Sequence, residues 1–120
     1  MLHRLVIEVT AGAESPERVN QAFTVAASAA ASGVEVSLWL TGDAAWFAVP
    51  GRAETFDLTY APPLADLIGG ILAAGSITVG TQCAARRGLS ENDLIPDIVV
   101  RGVPSFVEEI TRDGTQALVY

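Results

Sequence analysis

The chain has 120 residues, half of them hydrophobic and 18% charged, which is enough for one domain with a core of its own and too apolar for a disordered segment. Seven arginines and no lysine stand against fourteen acidic residues, a net charge of −7. A phosphate backbone or an anionic bilayer asks for a basic footprint, so neither nucleic acid nor membrane is an expected partner, and the lack of lysine removes Schiff-base and P-loop chemistry.

Leu5 to Val9 (LVIEV) is a short apolar run and reads as the first strand. It follows the N-terminal MLHR directly, without the long apolar stretch and small-residue cleavage site of a secretory signal. Together with the single cysteine, which cannot form an internal disulfide, this predicts a reducing, cytoplasmic location. His3, the only histidine, precedes the strand and is not an expected catalyst. Ser15-Pro16 has the N-cap and N1 chemistry of a helix start. Val19, Phe23, Ala26, Ala27 and Ala30 then recur at helical spacing as far as about Ser32, with Gly33 as the stop.

Val34 to Leu40 (VEVSLWL) is the second strand, so the opening is a strand–helix–strand unit with parallel strands. Thr41-Gly42-Asp43 follows its end, and Ala44 to Val49 reads as a short helix ended by Pro50-Gly51. Trp46 and Phe47 in that helix can cover a site, but such aromatics more often belong to the core or to a subunit interface. Arg52 to Ala61 carries no clear signal; Phe56, Leu58 and Tyr60 fit an extended piece or a loop equally.

Pro62-Pro63 opens a second helix, in which Leu64, Leu67, Ile68, Ile71 and Leu72 match the amphipathic template. Gly69-Gly70 inside it costs about 1 kcal/mol each relative to alanine, which predicts a neighbour packed very close to the helix. Leu67 to Ala85 holds no charged residue, roughly the length of a membrane span. Its helix period followed by a β-branched run, broken at Gly75-Ser76, instead reads as helix, turn and strand.

Ser76 to Leu89 (SITVGTQCAARRGL) is the stretch with chemistry in it. The strand Ile77–Val79 stops at Gly80, a polar turn of Thr81 and Gln82 follows, and Cys83 comes next, ahead of Arg86, Arg87 and Gly88. A thiol just past the carboxyl end of a central strand lies where α/β proteins place ligands, and nearby arginines stabilise a thiolate. The plain alternatives stay open: a free cysteine can be a small buried hydrophobe, one of the two arginines is expected to be structural, either a solvated surface charge or paired with an acidic residue such as Asp93 or Asp97, and Gly88 reads as a helix stop. Asp43, at another strand end on the same edge, can line the same pocket or serve as a capping residue.

Ser90 to Pro96 is a connector with a capped turn, and Asp97 to Arg101 (DIVVR) a fourth strand. Pro104 opens a third long helix, where Ser105 and Glu108 have capping-box spacing and Phe106, Val107 and Ile110 face inward. Gln116 to Tyr120 is the last strand. The whole is a three-layer α/β/α sandwich with a mostly parallel sheet of about five strands, one domain over residues 1–120. One histidine and one cysteine make no zinc site. No glycine-rich fingerprint follows a strand, so neither metal nor cofactor is expected.

The strand leading into CAARRGL, the amphipathic helix before it, the LTGDA after the second strand and the closing PSFVEEI…GTQALVY resemble the DsrE/DsrF-like sulfur-relay family over almost the whole chain. That resemblance implies a compact α/β domain assembling into homo- or hetero-oligomers, often trimers or hexamers, with no bound cofactor. It also implies that sulfur is accepted as a cysteine persulfide and passed to a partner protein. Cys83 would be the carrier, Arg86 or Arg87 would hold thiolate and donor, and Gly80, Thr81, Gln82 and Asp43 would border the substrate. The sulfur-carrying cysteine of the relay members aligns three positions earlier, where this chain has Gly80. The rival functions are a non-catalytic oligomeric or small-ligand-binding module with a structural Cys83, and a thiol redox sensor whose resolving thiol comes from elsewhere.

Overall fold

The computed structural model describes residues 3–120; Met1 and Leu2, the start of the N-terminal segment read above, lie outside the described residues. The strands are β1 (Arg4–Val9), β2 (Glu35–Leu40), β3 (Ser76–Gly80), β4 (Val99–Arg101) and β5 (Thr115–Val119). The helices are α1 (Pro16–Ala31), α2 (Leu64–Ala74), α3 (Thr81–Arg86) and α4 (Val103–Ile110), with 3-10 segments at Gly42–Ala48, Ala53–Thr55 and Glu91–Asp93. Every strand pairing is parallel, and the order across the sheet is β4-β3-β2-β1-β5. The chain steps outward from β1 to β4, then crosses back to the far side of β1. All five strands therefore end along one edge, which is where an α/β sheet offers its crevice.

The two faces of the sheet differ. Ile7 and Val9, Val36, Leu38 and Leu40, and Ile77 and Val79 alternate onto one face. There they meet Val19, Phe23 and Ala26 of α1 and Leu64, Ile68 and Ile71 of α2 in one buried cluster. The alanines at 22, 26 and 30 let α1 lie close to the strands. Arg4, Val6 and Glu8, Ser37, Trp39 and Thr41 point to the other face, which is covered by the eight residues of α4. None of α4 is fully buried. Its anchor is Phe106, whose ring meets Trp39 edge-on at 5.3 Å, with Glu109 accepting the indole N–H at 3.3 Å.

Val107, expected to face inward, is exposed, as is Val103 one turn earlier. The start of α4 also differs: Gly102 is the N-cap, and neither Ser105 nor any other side chain caps it. Pro104 fits inside the first turn because the amide it lacks would have no helical partner there.

The expectation of a close neighbour at Gly69-Gly70 is also corrected. Nothing lies within 4 Å of where a Cβ would stand at Gly69 or Gly70, and both are exposed. The close approach is at Gly75, where a Cβ would lie 2.5 Å from the Val36 carbonyl oxygen as α2 turns into β3. Alanine at Gly69 and Gly70 is therefore expected to stabilise the protein by about 1 kcal/mol each, read as a rise of a few degrees in Tm. A loss of stability at either position would mean that a partner covers that side of α2.

Of the alternatives for Phe47, the core is the one found. Phe47 is 4% exposed and packs edge-on against Phe23 at 6.0 Å and Phe56 at 5.6 Å, while Trp46 is half-buried under the Arg52 guanidinium. Residues 52–61 hold one 3-10 turn and otherwise loop. The connector turn is capped as expected: the Ser90 backbone N–H and hydroxyl donate to the Asp93 carboxylate at 2.8 and 3.0 Å. The backbone bond foremost, then the hydroxyl, holds that carboxyl below its usual value of 3.8. This support is present at neutral pH and is lost as acid protonates the group. No helix among the described residues is long and apolar enough to cross a membrane.

Candidate functional site

The sharp exits from β2 and β3 bring Gly42 and Cys83 together at the carboxyl edge. β3 runs through Gly80 straight into α3, so Thr81 and Gln82 are not a turn between strand and helix but the first helical residues, and Cys83 is the third. Gly88, in the left-handed region at φ +65°, ends α3, and its N–H and that of Leu89 close onto the Ala85 and Ala84 carbonyls. From β2 the chain turns at Gly42 into its 3-10 segment, and the Gly42 N–H donates to Cys83 Sγ at 3.2 Å. The sulfur is thus half-buried with a backbone donor aimed at it.

One of the two arginines is paired with an acidic residue and the other is solvated. Arg87 donates through Nη2 to Asp43 Oδ1 at 2.7 Å and through Nη1 to the Cys83 carbonyl oxygen at 3.0 Å, so its guanidinium addresses the backbone of Cys83 and not its sulfur. Its partner is Asp43, 44 residues away, in place of the expected Asp93 or Asp97. Arg87 is the structural member of the pair, tying α3 to the 3-10 segment after β2. Arg86 points to solvent. Asp43 is occupied by this bond and borders a smaller hollow with Glu14, Trp46 and Arg52, away from the cavity that Cys83 lines.

That cavity has a volume of about 350 Å³ and opens between the strand ends and α4, a size typical of small-molecule sites. Gly80, Thr81, Gln82 and Cys83 form one wall. Glu8, Trp39 and Thr41 form the floor, with Val103, Pro104 and Phe106 of α4 as the roof. Five of these residues, Glu8, Trp39, Val103, Pro104 and Phe106, were not among the site residues expected from the sequence. The available signal was a carboxylate one position before the end of an otherwise apolar strand, LVIEV, and an indole at the equivalent place in the next: Glu8 and Trp39 are register partners. Gly80 contributes open space. A Cβ there would sit 3.7 Å from Cys83 Sγ in ordinary contact, so a side chain fits and its absence enlarges the cavity beside the sulfur. Among the described residues no group of three or more His, Cys, Asp or Glu side chains could hold a metal ion.

Comparison with known proteins agrees with this architecture. The E. coli ychN protein has 17% identity, complete coverage of both chains and a TM-score of 0.76. A protein of unknown function from Methanobacterium thermoautotrophicum, MTH1491, has 16% identity over 98% of this chain and 99% of its own, with a TM-score of 0.71. A conserved protein of unknown function from Bacteroides thetaiotaomicron, BT1422, has 16% identity over 98% and 94%, with a TM-score of 0.68. At these identities the likeness speaks for the fold. No curated protein matches. The model of the DsrE/DsrF-like family matches residues 3–119, and the chain belongs to that family.

Proposed function

We propose that the protein is a persulfide carrier in which Cys83 takes up a sulfane sulfur and hands it to a partner thiol. The observation that carries this reading is the position of Cys83 Sγ on the wall of an open cavity with the Gly42 N–H donating to it at 3.2 Å. The amide holds the sulfur at the cavity wall, and the cavity gives a donor room to approach. Arg87 acts by position, holding the Cys83 carbonyl and Asp43 so that α3 and the Gly42 turn stay in register. Thr81 and Gln82 border the bound sulfur. A lone thiol kept in this state suits a reducing compartment such as the cytoplasm. The donor is a persulfide and the acceptor a thiol, each on a protein or a small molecule that reaches the strand-end edge.

Incubation with a cysteine desulfurase and cysteine, followed by intact-mass measurement, is expected to show one added sulfur atom. Reductant should remove it and Cys83→Ser should not acquire it. A folded protein that gains none is not a carrier.

The apolar lining of the cavity favours a second reading, a small-ligand-binding module without sulfur chemistry, which a saturable ligand and no sulfur uptake would establish. Self-association is part of either proposal. Val103 and Val119 are 63% and 65% exposed, and Val119, register partner of Glu8, points to the thinly covered face of the sheet.

A further inference from the structure

The charges around the cavity bear on which donor it admits. None of the seven arginines lines it. Arg4, Arg87 and Arg112 are paired with Glu35, Asp43 and Glu108, and Arg52 lies over Trp46. The one charged side chain on the wall is Glu8, which accepts a hydrogen bond from the Thr41 hydroxyl at 3.0 Å through Oε1. No ion pair among the described residues involves it. Around it stand the rings of Trp39 and Phe106 with Val103 and Pro104. An anion entering here meets a carboxylate and apolar walls inside a chain of net charge −7, with no cation to receive it. A protonated amine meets a free carboxylate oxygen, which attracts it, beside apolar and aromatic walls that suit a small apolar body.

We infer that the cavity selects an organic ligand carrying a protonated amine on a small apolar body, and that Glu8 is the residue that sets this preference. Resting on the carrier reading, the substrate class is a low-molecular-weight aminoalkyl persulfide, R–S–SH, in place of an inorganic anion such as thiosulfate. The Cys83 thiolate attacks the outer sulfur. The new Sγ–S bond forms as the donor S–S bond breaks, R–S⁻ leaves with the electron pair, and the proton stays on the transferred sulfur. No outside oxidant or reductant is needed.

Thiol-directed methanethiosulfonates test the selectivity without relying on sulfur transfer. The rates at which aminoethyl (cationic), methyl (neutral) and sulfonatoethyl (anionic) reagents modify Cys83 are measured and normalised to a free cysteine derivative. The cationic reagent is expected to exceed the anionic one by about tenfold, and Glu8→Gln, which keeps an acceptor for Thr41, should bring the ratio close to one. Raising the salt concentration on the unaltered protein should shrink the same ratio, so the inference stays testable if the variant folds poorly. A ratio that favours the anion, or one that neither Glu8→Gln nor salt changes, overturns it. Cation selectivity in a protein that never gains sulfur would sink the carrier reading and leave the ligand class standing.

Discussion

Replacing Gly42 by alanine is expected to cost on the order of 3 kcal/mol of stability and to open Cys83 to alkylation. Two separate penalties meet at this residue. Its φ is +53°, where an L-residue pays about 1–2 kcal/mol. Its Cβ would also stand 2.5 Å from the carbonyl oxygen of Thr10, a separation that forces the β1 and β2 exits apart. Those exits carry the site, since the Gly42 N–H is the donor on Cys83 Sγ and the following residue, Asp43, holds Arg87. Gly51 supplies the control: its φ is +89° with nothing within 4 Å of a Cβ, so Gly51→Ala pays the backbone cost alone. Urea unfolding of both variants separates the two terms, and alkylation of Cys83 in native buffer should quicken only for Gly42→Ala. Equal losses for the two variants would show that the close approach to Thr10 carries no energy and that the Gly42 turn does not hold the thiol in place.

The alternation of strand and helix was legible because parallel strands covered on a packed face read as short apolar runs, such as LVIEV and SITV, while α1 and α2 keep their helical stripe. Locating Cys83, Gly80, Thr81 and Gln82 at a strand end followed from the same pattern. What the sequence hid were distances across the sheet. The partner of Arg87 is 44 residues away, and a salt bridge chosen from nearby acids necessarily misses it. The tight glycine was misassigned because helix propensity marks where glycine is costly, whereas close packing depends on a neighbouring strand, here the Val36 carbonyl over Gly75. Phe47 could be read as core or interface because a 3-10 segment has no stripe to show which side is inward; its partners Phe23 and Phe56 come from two other segments. Glu8 was readable as an anomaly in an apolar strand, but its meaning needed α4, which reaches it only after the chain has crossed the whole sheet.

Trp39→Ala should destabilise the protein by about 3–5 kcal/mol, the usual cost of emptying a buried aromatic site, and the loss should be felt first in α4. Trp39 is 2% exposed on the thinly covered face. It gives α4 both of its specific attachments, the edge-on contact with Phe106 and the indole N–H to Glu109. With no fully buried residue of its own, α4 has little else to hold it down, so amide exchange across Val103–Ile110 should accelerate well before exchange in β1 or β2. Trp39→Phe keeps a ring for Phe106 and forgoes only a long hydrogen bond and part of the volume, a loss of about 1–2 kcal/mol. The same indole is the floor of the cavity that Cys83 lines, and α4 is its roof. Loosening α4 therefore removes the enclosure in which a carboxylate and two rings discriminate between ligands, and the charge selectivity of Cys83 modification should fall in Trp39→Ala even though Glu8 is untouched. If α4 keeps its protection in that variant, the roof is held by something other than Trp39, and the exposed Val103, Val107 and Val119 become the place to look for it.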